Sequence, residues 1–496
     1  MYTVTPTSVG GCLGATFTIT VPINPQPVGA SVTKAAACSN VGFNFNPQLD
    51  ITNGVASNFS WTAVYQAGLT GGVTNGNGNI SETLVNVTGG VLNAVYTVTP
   101  TSAAGCAGAP FVITVPVNPE PVGANDIKAI VCSDVAFNFN PQLEITNGVT
   151  ATFAWTAVYG GGLTGGAGAG IGNINETLSN LSGASLNATY TITPTSLNGC
   201  VGSPFTITVP IASEPVGANS TKAAVCSDIA FSFDPQAEIT NGTVATFTWT
   251  AAYPAGLTGG AANGIGVINQ TLNNQTGGQL NAVFTITPTT AGSCVGSTFT
   301  ITVPINPEPV GSNAVRPAVC SDVAFNFNPQ NDIINGVTST FAWTAVYDAG
   351  LTGGSGAGAG LLSETLTNLT GGPLNAVYTI TPTSVNGCGG STFTITVPVN
   401  PEPVGADALK AAVCSDVAFN FNAQLEITNG VTSTFTWTAS YAAGITGGAG
   451  NGNGAVAETL INITSTQLNA VYTVTPTSTN GCAGAPFTIT VPVDPK

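Results

Sequence analysis

The residues with the most chemical potential in this chain are its 11 cysteines, which form two evenly spaced series. Histidine is absent, so the chain has no Ser-His or Cys-His nucleophile pair, no imidazole base and no histidine-ligated zinc site. We therefore predict no catalytic, cofactor-binding or metal-ligating residue, and expect a protein that is not an enzyme. The two series, each with a step of 94 residues, are Cys12, Cys106, Cys200, Cys294, Cys388, Cys482 and Cys38, Cys132, Cys226, Cys320, Cys414.

Carboxylates recur singly rather than in pairs. One stretch of 94 residues carries Glu120, Asp134, Glu144 and Glu176. Amides replace three of them at equivalent positions elsewhere, namely Gln26, Asn40 and Gln270, and a glycosidase pair tolerates no such replacement. No dense Asp-x-Asp cluster exists, so the expected cofactor is none, with calcium beside residues such as Asp134 and Glu120 as the weaker alternative.

A Gly-rich run at 160–170 superficially resembles a phosphate-binding loop. It lacks the Gly-Lys-Ser/Thr ending and a helix after it, which argues against nucleotide binding. We interpret it as a flexible loop or a bulged hairpin. Because its content varies between copies, it is also the candidate surface if any part of the chain contacts a ligand.

The charge balance limits the range of partners. The chain has 496 residues with 6 Lys or Arg against 22 Asp or Glu, a net charge of −16. Phosphate binding needs clustered cations, so we expect no nucleic-acid partner. No stretch approaches the 18 or more apolar residues of a membrane span, and we expect no membrane insertion.

The chain is one unit repeated. Its five tryptophans, each 94 residues after the last, are Trp61, Trp155, Trp249, Trp343 and Trp437. Residues 1–25 match only the end of a unit, so we interpret them as the C-terminal hairpin of a truncated repeat. The predicted domains are that hairpin and five repeats, 26–119, 120–213, 214–307, 308–401 and 402–496, which are called repeats 1 to 5 below.

Within repeat 2 the apolar residues alternate with a period of two, as in Phe153, Trp155 and Ala157. Turn residues such as Asn147–Gly148 separate the alternating segments. About seven short strands with a tryptophan on the third predict an all-β fold of immunoglobulin-like sandwiches. The tryptophans are expected in the core; the alternative is an exposed ring that stacks on sugars.

The motifs in this pattern resemble a known family. Residues 131–139 (Val-Cys-Ser-Asp-Val-Ala-Phe-Asn-Phe), 153–156 (Phe-Ala-Trp-Thr), 190–196 (Tyr-Thr-Ile-Thr-Pro-Thr-Ser) and 198–200 (Asn-Gly-Cys) are similar to the PKD-like domains of Bacteroidota surface proteins. The resemblance covers essentially the whole chain. It implies a tandem array in a secreted protein, such as a gliding-motility adhesin exported by type IX secretion, although residues 402–496 do not carry the sorting domain of such proteins.

Three cysteine pairings fit the spacing, with separations of 68, 26 or 162 residues. In an immunoglobulin-like sandwich Cys132 and Cys200 lie at opposite poles, roughly 25 Å apart, whereas a disulfide needs Cα atoms within about 7 Å. We therefore prefer interdomain bonds, while intradomain bonds and free thiols remain open. The preferred pairs are Cys38–Cys200, Cys132–Cys294, Cys226–Cys388 and Cys320–Cys482, which leaves Cys12, Cys106 and Cys414 for domains beyond this segment.

The segment between repeats, Asn118-Pro119-Glu120-Pro121-Val122-Gly123, recurs along the chain. Closely spaced prolines favour a stiff joint, and an ordinary strand boundary is the alternative. Either leads us to expect an extended rod with a spacing of about 40 Å per repeat. The cysteine count indicates an oxidising, extracellular compartment, and we expect the protein at the cell surface.

Two functions fit these features. The first is a non-catalytic stalk or fibre segment of a large surface adhesin, with neighbouring repeats as the main partners and self-association into fibres as a variant. The alternative is a set of modules that bind a surface polysaccharide or a protein, with the array supplying avidity.

Overall fold

The computed structural model describes residues 1–496 and consists of β-strands and short 3₁₀ helices. It contains no helix with the length and hydropathy that a membrane span requires. Contacts divide the chain into two compact units, described separately below: residues 1–218, 238–246 and 287–298 form unit 1, and residues 219–237, 247–286 and 299–496 form unit 2. Repeats 1 and 2 therefore lie in unit 1, repeats 4 and 5 lie in unit 2, and repeat 3 contributes to both.

Repeat 2 shows the order of elements. Its strands are β1 (Asp126–Ile127), β2 (Val131–Cys132), β3 (Ala136–Phe139), β4 (Ala151–Tyr159), β5 (Leu163–Thr164), β6 (Ala169–Ile171), β7 (Ile174–Thr177), β8 (Ser179–Asn180), β9 (Leu186–Ser196) and β10 (Phe205–Ala212). A 3₁₀ helix, Pro141–Glu144, lies between β3 and β4. The Asn140 side chain caps it by accepting a hydrogen bond from the backbone N–H of Gln142.

The other repeats carry the same elements in the same order. In repeat 1 they are Val32–Thr33, Ala37–Cys38, Gly42–Phe45, the 3₁₀ helix Pro47–Asp50, Ser57–Tyr65, Leu69–Thr70, Asn75–Asn77, Ile80–Thr83, Val85–Asn86, Leu92–Ser102 and Phe111–Asn118. In repeat 3 they are Ser220–Thr221, Val225–Cys226, Ala230–Phe233, the 3₁₀ helix Pro235–Glu238, Thr246–Ala252, Leu257–Thr258, Asn263–Ile265, Ile268–Thr271, Asn273–Asn274, Leu280–Thr289 and Phe299–Asn306. In repeat 4 they are Ala314–Val315, Val319–Cys320, Phe325–Phe327, the 3₁₀ helix Pro329–Asp332, Ser339–Tyr347, Leu351–Thr352, Ala357–Ala359, Leu362–Glu364, Thr367–Asn368, Leu374–Ser384 and Phe393–Asn400. In repeat 5 they are Ala408–Leu409, Val413–Cys414, Ala418–Phe421, the 3₁₀ helix Ala423–Glu426, Ser433–Tyr441, Ile445–Thr446, Asn451–Asn453, Val456–Thr459, Ile461–Asn462, Leu468–Ser478 and Phe487–Asp494.

The main sheet of repeat 2 has the order β1-β10-β9-β4-β6, and β2 also pairs with β10. Strands β1 and β2 run parallel to β10, whereas the other pairs are antiparallel. The pairs β3–β7 and β5–β8 complete the sandwich. The predicted all-β fold of tandem sandwiches is confirmed. The strands outnumber the seven predicted because strands of two residues are too short to show an alternation.

The core of repeat 2 lies between these sheets and follows the alternation of the long strands. Along β9 and β10 every second residue is buried, with Tyr190, Ile192 and Ile207 fully inaccessible to solvent. Trp155 of β4 pairs with Ile192 and packs edge-on against the Tyr190 ring, with 5.6 Å between ring centroids. In unit 2, Trp343 and Tyr378 of repeat 4 make the same contact at 5.5 Å. All five tryptophans are 5–6% exposed and lie in the core.

The Gly-rich run of repeat 2 folds back on the sheet as β5 and β6, with β6 antiparallel to β4. Gly170 of β6 lies against the indole of Trp155, where a Cβ would come within 2.3 Å of the ring. The run therefore supplies one short strand to each sheet, and its Gly170 makes room for a core tryptophan. Leu163 is buried, whereas the strand residues Thr164 and Ala169 are exposed.

The N-terminal segment forms an antiparallel hairpin of Tyr2–Val4 and Phe17–Ile19. Its apolar side chains are exposed, including Phe17 at 51% and Ile19 at 45%. The equivalent residues of repeat 1, Phe111 and Ile113, are buried.

Candidate functional site: the junction between repeats

Four disulfide bonds join successive repeats. Each connects the end of β2 in one repeat to the loop between β9 and β10 in the next repeat. Their Cα–Cα distances are 5.3–5.4 Å, and each closes a loop of 162 residues. The bonds are Cys38–Cys200 and Cys132–Cys294 in unit 1, and Cys226–Cys388 and Cys320–Cys482 in unit 2.

The bonded cysteines of the β9–β10 loops are almost inaccessible, with exposures of 1–3% at Cys200, Cys294, Cys388 and Cys482. Cross-links over loops of this size stabilise a fold by up to about 5 kcal/mol, mainly by restricting the unfolded chain. Repeat 2 supplies Cys200 to one bond and Cys132 to the next, so it is bonded to both of its neighbours.

Three cysteines are unpaired in the structure. Cys12 and Cys414 are exposed, and Cys106 is half-buried. Cys12 and Cys106 occupy the loop position of the bonded series, and Cys414 occupies the β2 position. Their partners in longer arrays stay a prediction.

At each junction an asparagine side chain of the following repeat, called the latch below, forms hydrogen bonds with the linker. In repeat 2, Asn147 Nδ2 donates to the backbone oxygen of Glu120 at 2.8 Å, and Asn147 Oδ1 accepts from the Val122 N–H at 3.2 Å. The same Nδ2 lies 3.4 Å from the Thr88 oxygen in repeat 1. One side chain thus holds the linker and contacts the preceding repeat.

The latch recurs within each unit. Asn241 holds Glu214 and contacts the Leu181 oxygen in unit 1, and Asn335 and Asn429 make the equivalent bonds in unit 2. The sequence pattern predicts only a turn at Asn147–Gly148 and does not predict this role. The recurrence of Asn at 94-residue steps is the signal that was available.

The linker itself belongs to the following repeat. Pro119, Glu120 and Pro121 are buried. The Val122 oxygen accepts from the Thr146 N–H at 2.8 Å, and Ala124 N–H donates to the Glu144 oxygen at 3.0 Å. These bonds leave little freedom in the segment, because its polar backbone groups pair with a folded neighbour.

Close backbone contact at the junction depends on a glycine. A Cβ on Gly183 of repeat 2 would lie 2.0 Å from the backbone oxygen of Asn241. The equivalent approach is 2.7 Å for Gly89 to Asn147. Any larger residue would push the two repeats apart, so the glycine sets how closely they pack.

A buried carboxylate in repeats 1, 2, 4 and 5, at the position of Glu176, serves a different purpose. Glu176, 8% exposed, accepts hydrogen bonds from the Tyr159 hydroxyl at 2.8 Å, from the Tyr190 hydroxyl and from the Ala167 N–H at 2.8 Å. Burial, followed by the hydrogen bond to Glu176, raises the pKa of Tyr159 to about 12. The carboxylate ties the Gly-rich turn to the core, which is a structural use of the residue.

No group of three or more Cys, Asp or Glu side chains is placed to hold a metal ion. Calcium near Asp134 and Glu120, the alternative to no cofactor, stays a prediction.

A family model described as "PKD-like domain" matches the chain in six places, residues 1–27, 35–121, 129–215, 223–309, 317–403 and 411–496. No curated protein matches the sequence. Among solved structures, the human desmocollin-1 ectodomain aligns with 11% identity and a TM-score of 0.20 over 95% of this chain and 98% of that chain. The protocadherin GammaB4 extracellular domain aligns with 11% identity and a TM-score of 0.21 over 95% and 84%, and the titin I-band fragment I67–I69 with 9% and 0.25 over 57% and 96%.

Proposed function

Because the chain belongs to the family of PKD-like domains and matches it six times in tandem, we propose that it is a mechanical spacer in an extracellular surface adhesin. The observation that carries the proposal is the set of disulfide bonds between successive repeats. A binding module needs no covalent link to its neighbour, whereas a spacer under tension benefits from one at each junction.

The disulfides shorten the covalent path through the chain. With all four intact, the shortest covalent path from residue 1 to residue 496 passes through roughly a third of the residues. Tension applied at the ends therefore bypasses most of the folded strands. A repeat that unfolds stays attached to both neighbours and releases little length.

The junction also resists bending. The latch of Asn147 and the close approach of Gly89 act on the same two repeats as the Cys38–Cys200 bond. Contacts at separate points around one interface oppose rotation about any one of them.

Single-molecule force spectroscopy on the full chain tests the proposal. We expect the oxidised chain to reach roughly a third of the contour length of the chain treated with reductant. The matched control is the variant Cys12→Ser/Cys106→Ser/Cys414→Ser, which lacks only the unpaired thiols and is expected to match the oxidised wild type. Equal lengths with and without reductant would contradict the proposal.

A spacer must also hold its ends apart, which small-angle X-ray scattering of the full chain measures. We expect the maximum dimension of the chain to increase by about 40 Å for each repeat, as for repeats placed end to end. Saturable binding of a polysaccharide by the full chain, found on a glycan array, would instead favour binding modules that act by avidity.

The proposal also places the protein outside the cell, on the cell surface. Four disulfides are typical of an oxidising, extracellular compartment. The motif resemblance supports placement on a Bacteroidota cell surface, in an adhesin of gliding motility exported by type IX secretion. Antibodies against the chain should label intact cells, and the label should disappear when that export machinery is deleted. Labelling only after cell lysis would overturn this part.

A further inference from the structure

Each junction brings together two side chains that are 80 residues apart in sequence. In the first junction Asn40 Nδ2 donates to Glu120 Oε1 at 2.5 Å, and Glu120 is 8% exposed. The equivalent positions within repeat 5 are Asp416 and Lys496, and Lys496 Nζ lies 3.0 Å from Asp416 Oδ2. Both contacts place a hydrogen-bond donor against a carboxylate.

The three junctions between these have no such donor. Two carboxyl groups occupy the same two positions, close enough to share a hydrogen bond. The pairs are Asp134 with Glu214 in unit 1, and Asp228 with Glu308 and Asp322 with Glu402 in unit 2. Two ionised carboxylates in contact repel each other, so one of them favours its protonated form.

The backbone keeps the members of a pair together. Asp134 has a left-handed φ of 58°, and its N–H donates to the Leu178 oxygen at 2.9 Å. Glu214 is held by Asn241, which donates to its backbone oxygen at 2.8 Å. Both residues are therefore anchored, and only side-chain rotation or a proton relieves the repulsion.

The other groups that face the aspartates are neutral. Ser133 and Ser179 hydroxyls face Asp134, the Asn273 amide donates to Asp228 at 2.7 Å, and the Thr367 hydroxyl donates to Asp322. The charged group acting on each glutamate is the facing aspartate. Burial, together with that aspartate, raises the pKa of Glu214, Glu308 and Glu402.

We propose that each of these three carboxyl pairs binds one proton as the pH falls from neutral, so that these junctions are more stable in acid than at neutral pH. The Asn40–Glu120 junction has an amide in place of the second carboxyl and therefore contains no carboxyl pair.

The direction of this pH dependence of stability follows from the linkage between proton binding and folding. A glutamate whose pKa is higher in the folded chain than in the unfolded chain contributes stability below its ordinary pKa. That stability is lost as the pH rises through the raised value. Once the glutamate has lost its proton, two carboxylates face each other and the junction bears their repulsion.

Carbon-13 NMR of the full chain with side-chain-labelled glutamate tests the proposal directly, in EDTA so that no divalent cation occupies a pair. Glu214 should titrate at higher pH than the glutamates of the same chain unfolded in urea. The variant Asp134→Asn should reduce that difference at Glu214, where burial still acts, and leave it unchanged at Glu308. An unchanged titration of Glu214 in this variant would overturn the proposal.

The variants are expected to fold, because Asn40 occupies the equivalent position with a φ of 58°, like that of Asp134. The reverse change, Asn40→Asp, creates a fourth pair and should shift the titration of Glu120 to higher pH than in the wild type. No shift at Glu120 would contradict the proposed role of the facing aspartate.

Thermal unfolding provides a second readout. The triple variant Asp134→Asn/Asp228→Asn/Asp322→Asn should melt above the wild type at neutral pH, by about 2–4 °C, and the difference should shrink in acid. The matched control Asp416→Asn loses an ion pair with Lys496 and should show no such gain. A triple variant that melts at or below the wild-type temperature at neutral pH would count against repulsion at these junctions.

Discussion

In repeat 4 the carboxylate of Glu364 lies beneath the Gly-rich turn, whereas the equivalent residue of repeat 3 is the half-buried Gln270. Glu364 is 8% exposed and accepts hydrogen bonds from the Tyr347 and Tyr378 hydroxyls and from both the N–H and the hydroxyl of Ser355. In repeat 3, Phe284 replaces the second tyrosine.

Glu364 and the groups that donate to it form a cluster, and the equivalent cluster of repeat 3 has the neutral Gln270 and fewer hydrogen-bond donors. Gln270 Oε1 accepts from the Ala261 N–H at 2.9 Å, and the Tyr253 hydroxyl donates to the Ala261 oxygen at 2.7 Å. Repeat 3 thus lacks both the carboxylate charge, because it has Gln270, and the second tyrosine hydroxyl, because it has Phe284. The buried carboxylate is thus present where two tyrosine hydroxyls donate to it and absent where one of them is missing, because a buried charge is costly without hydrogen-bond donors.

The largest effect is expected from Tyr378→Phe, which removes a hydroxyl from the buried Glu364. A hydrogen bond to a charged group is worth about 1.5–3 kcal/mol, so we expect a loss near the upper end of that range. Hydrogen exchange followed by mass spectrometry should show faster exchange at 362–366, by up to about 100-fold. The peptide 268–272 of repeat 3, in the same molecule, is the control and should not change. Similar changes in both peptides would contradict a local effect.

Gln270→Glu places a carboxylate where Phe284 offers no hydroxyl. We expect repeat 3 to lose about 2 kcal/mol at neutral pH, because the new charge is poorly compensated. Exchange at 268–272 measures the loss. If the double variant Gln270→Glu/Phe284→Tyr is no more stable than Gln270→Glu, the second hydroxyl is not the missing donor.

Glu364→Gln removes the charge but keeps the shape, and we expect a loss of about 1 kcal/mol in repeat 4. Combined with Tyr378→Phe it reproduces the cluster chemistry of repeat 3. The double variant should therefore be destabilised by less than the sum of the single changes, as a double-mutant cycle shows. Additive losses would mean that the two residues act independently.

The pH dependence of the cluster has the opposite sign to that of the junction pairs. Burial opposes ionisation of Glu364, but hydrogen bonds from Ser355, Tyr378 and Tyr347 outweigh it and lower its pKa. The stability it contributes is present above the ordinary glutamate pKa and is lost as the pH falls through the lowered value. The exchange difference between wild type and Glu364→Gln at 362–366 should therefore narrow in acid. A constant difference would argue against ionised Glu364.

The smallest effect is expected from Phe284→Tyr alone. The added hydroxyl gains a neutral acceptor in Gln270, so we expect a change of less than about 1 kcal/mol in repeat 3. A gain as large as the loss from Tyr378→Phe would show that the charge of Glu364 is irrelevant to the comparison.

Part of the architecture could be predicted from local patterns alone. The alternation of Phe153, Trp155 and Ala157 predicts a strand with one buried face, and the structure has β4 there. The short strands of the Gly-rich run could not be predicted, because two residues carry no periodicity. The position of one of them, β6, involves a distant residue, because its Gly170 packs against Trp155.

The contacts at the junction could not be predicted from sequence patterns. Spacing left three cysteine pairings open, and the preferred one came from an assumed direction of the strands. The latch of Asn147 and the carboxyl pair of Asp134 and Glu214 were not foreseen. Each links residues far apart in sequence, and no local pattern reports which distant side chains meet.

By itself, the sequence determined the repeat length, the all-β character and the positions of the long strands, because period-two alternation and turn residues act over a few neighbouring residues. The tertiary structure decided which cysteines bond, which carboxylates face each other and which hydroxyls reach Glu364. Those contacts depend on strand register and on how one repeat seats on the next, and both are settled only when the whole sandwich packs.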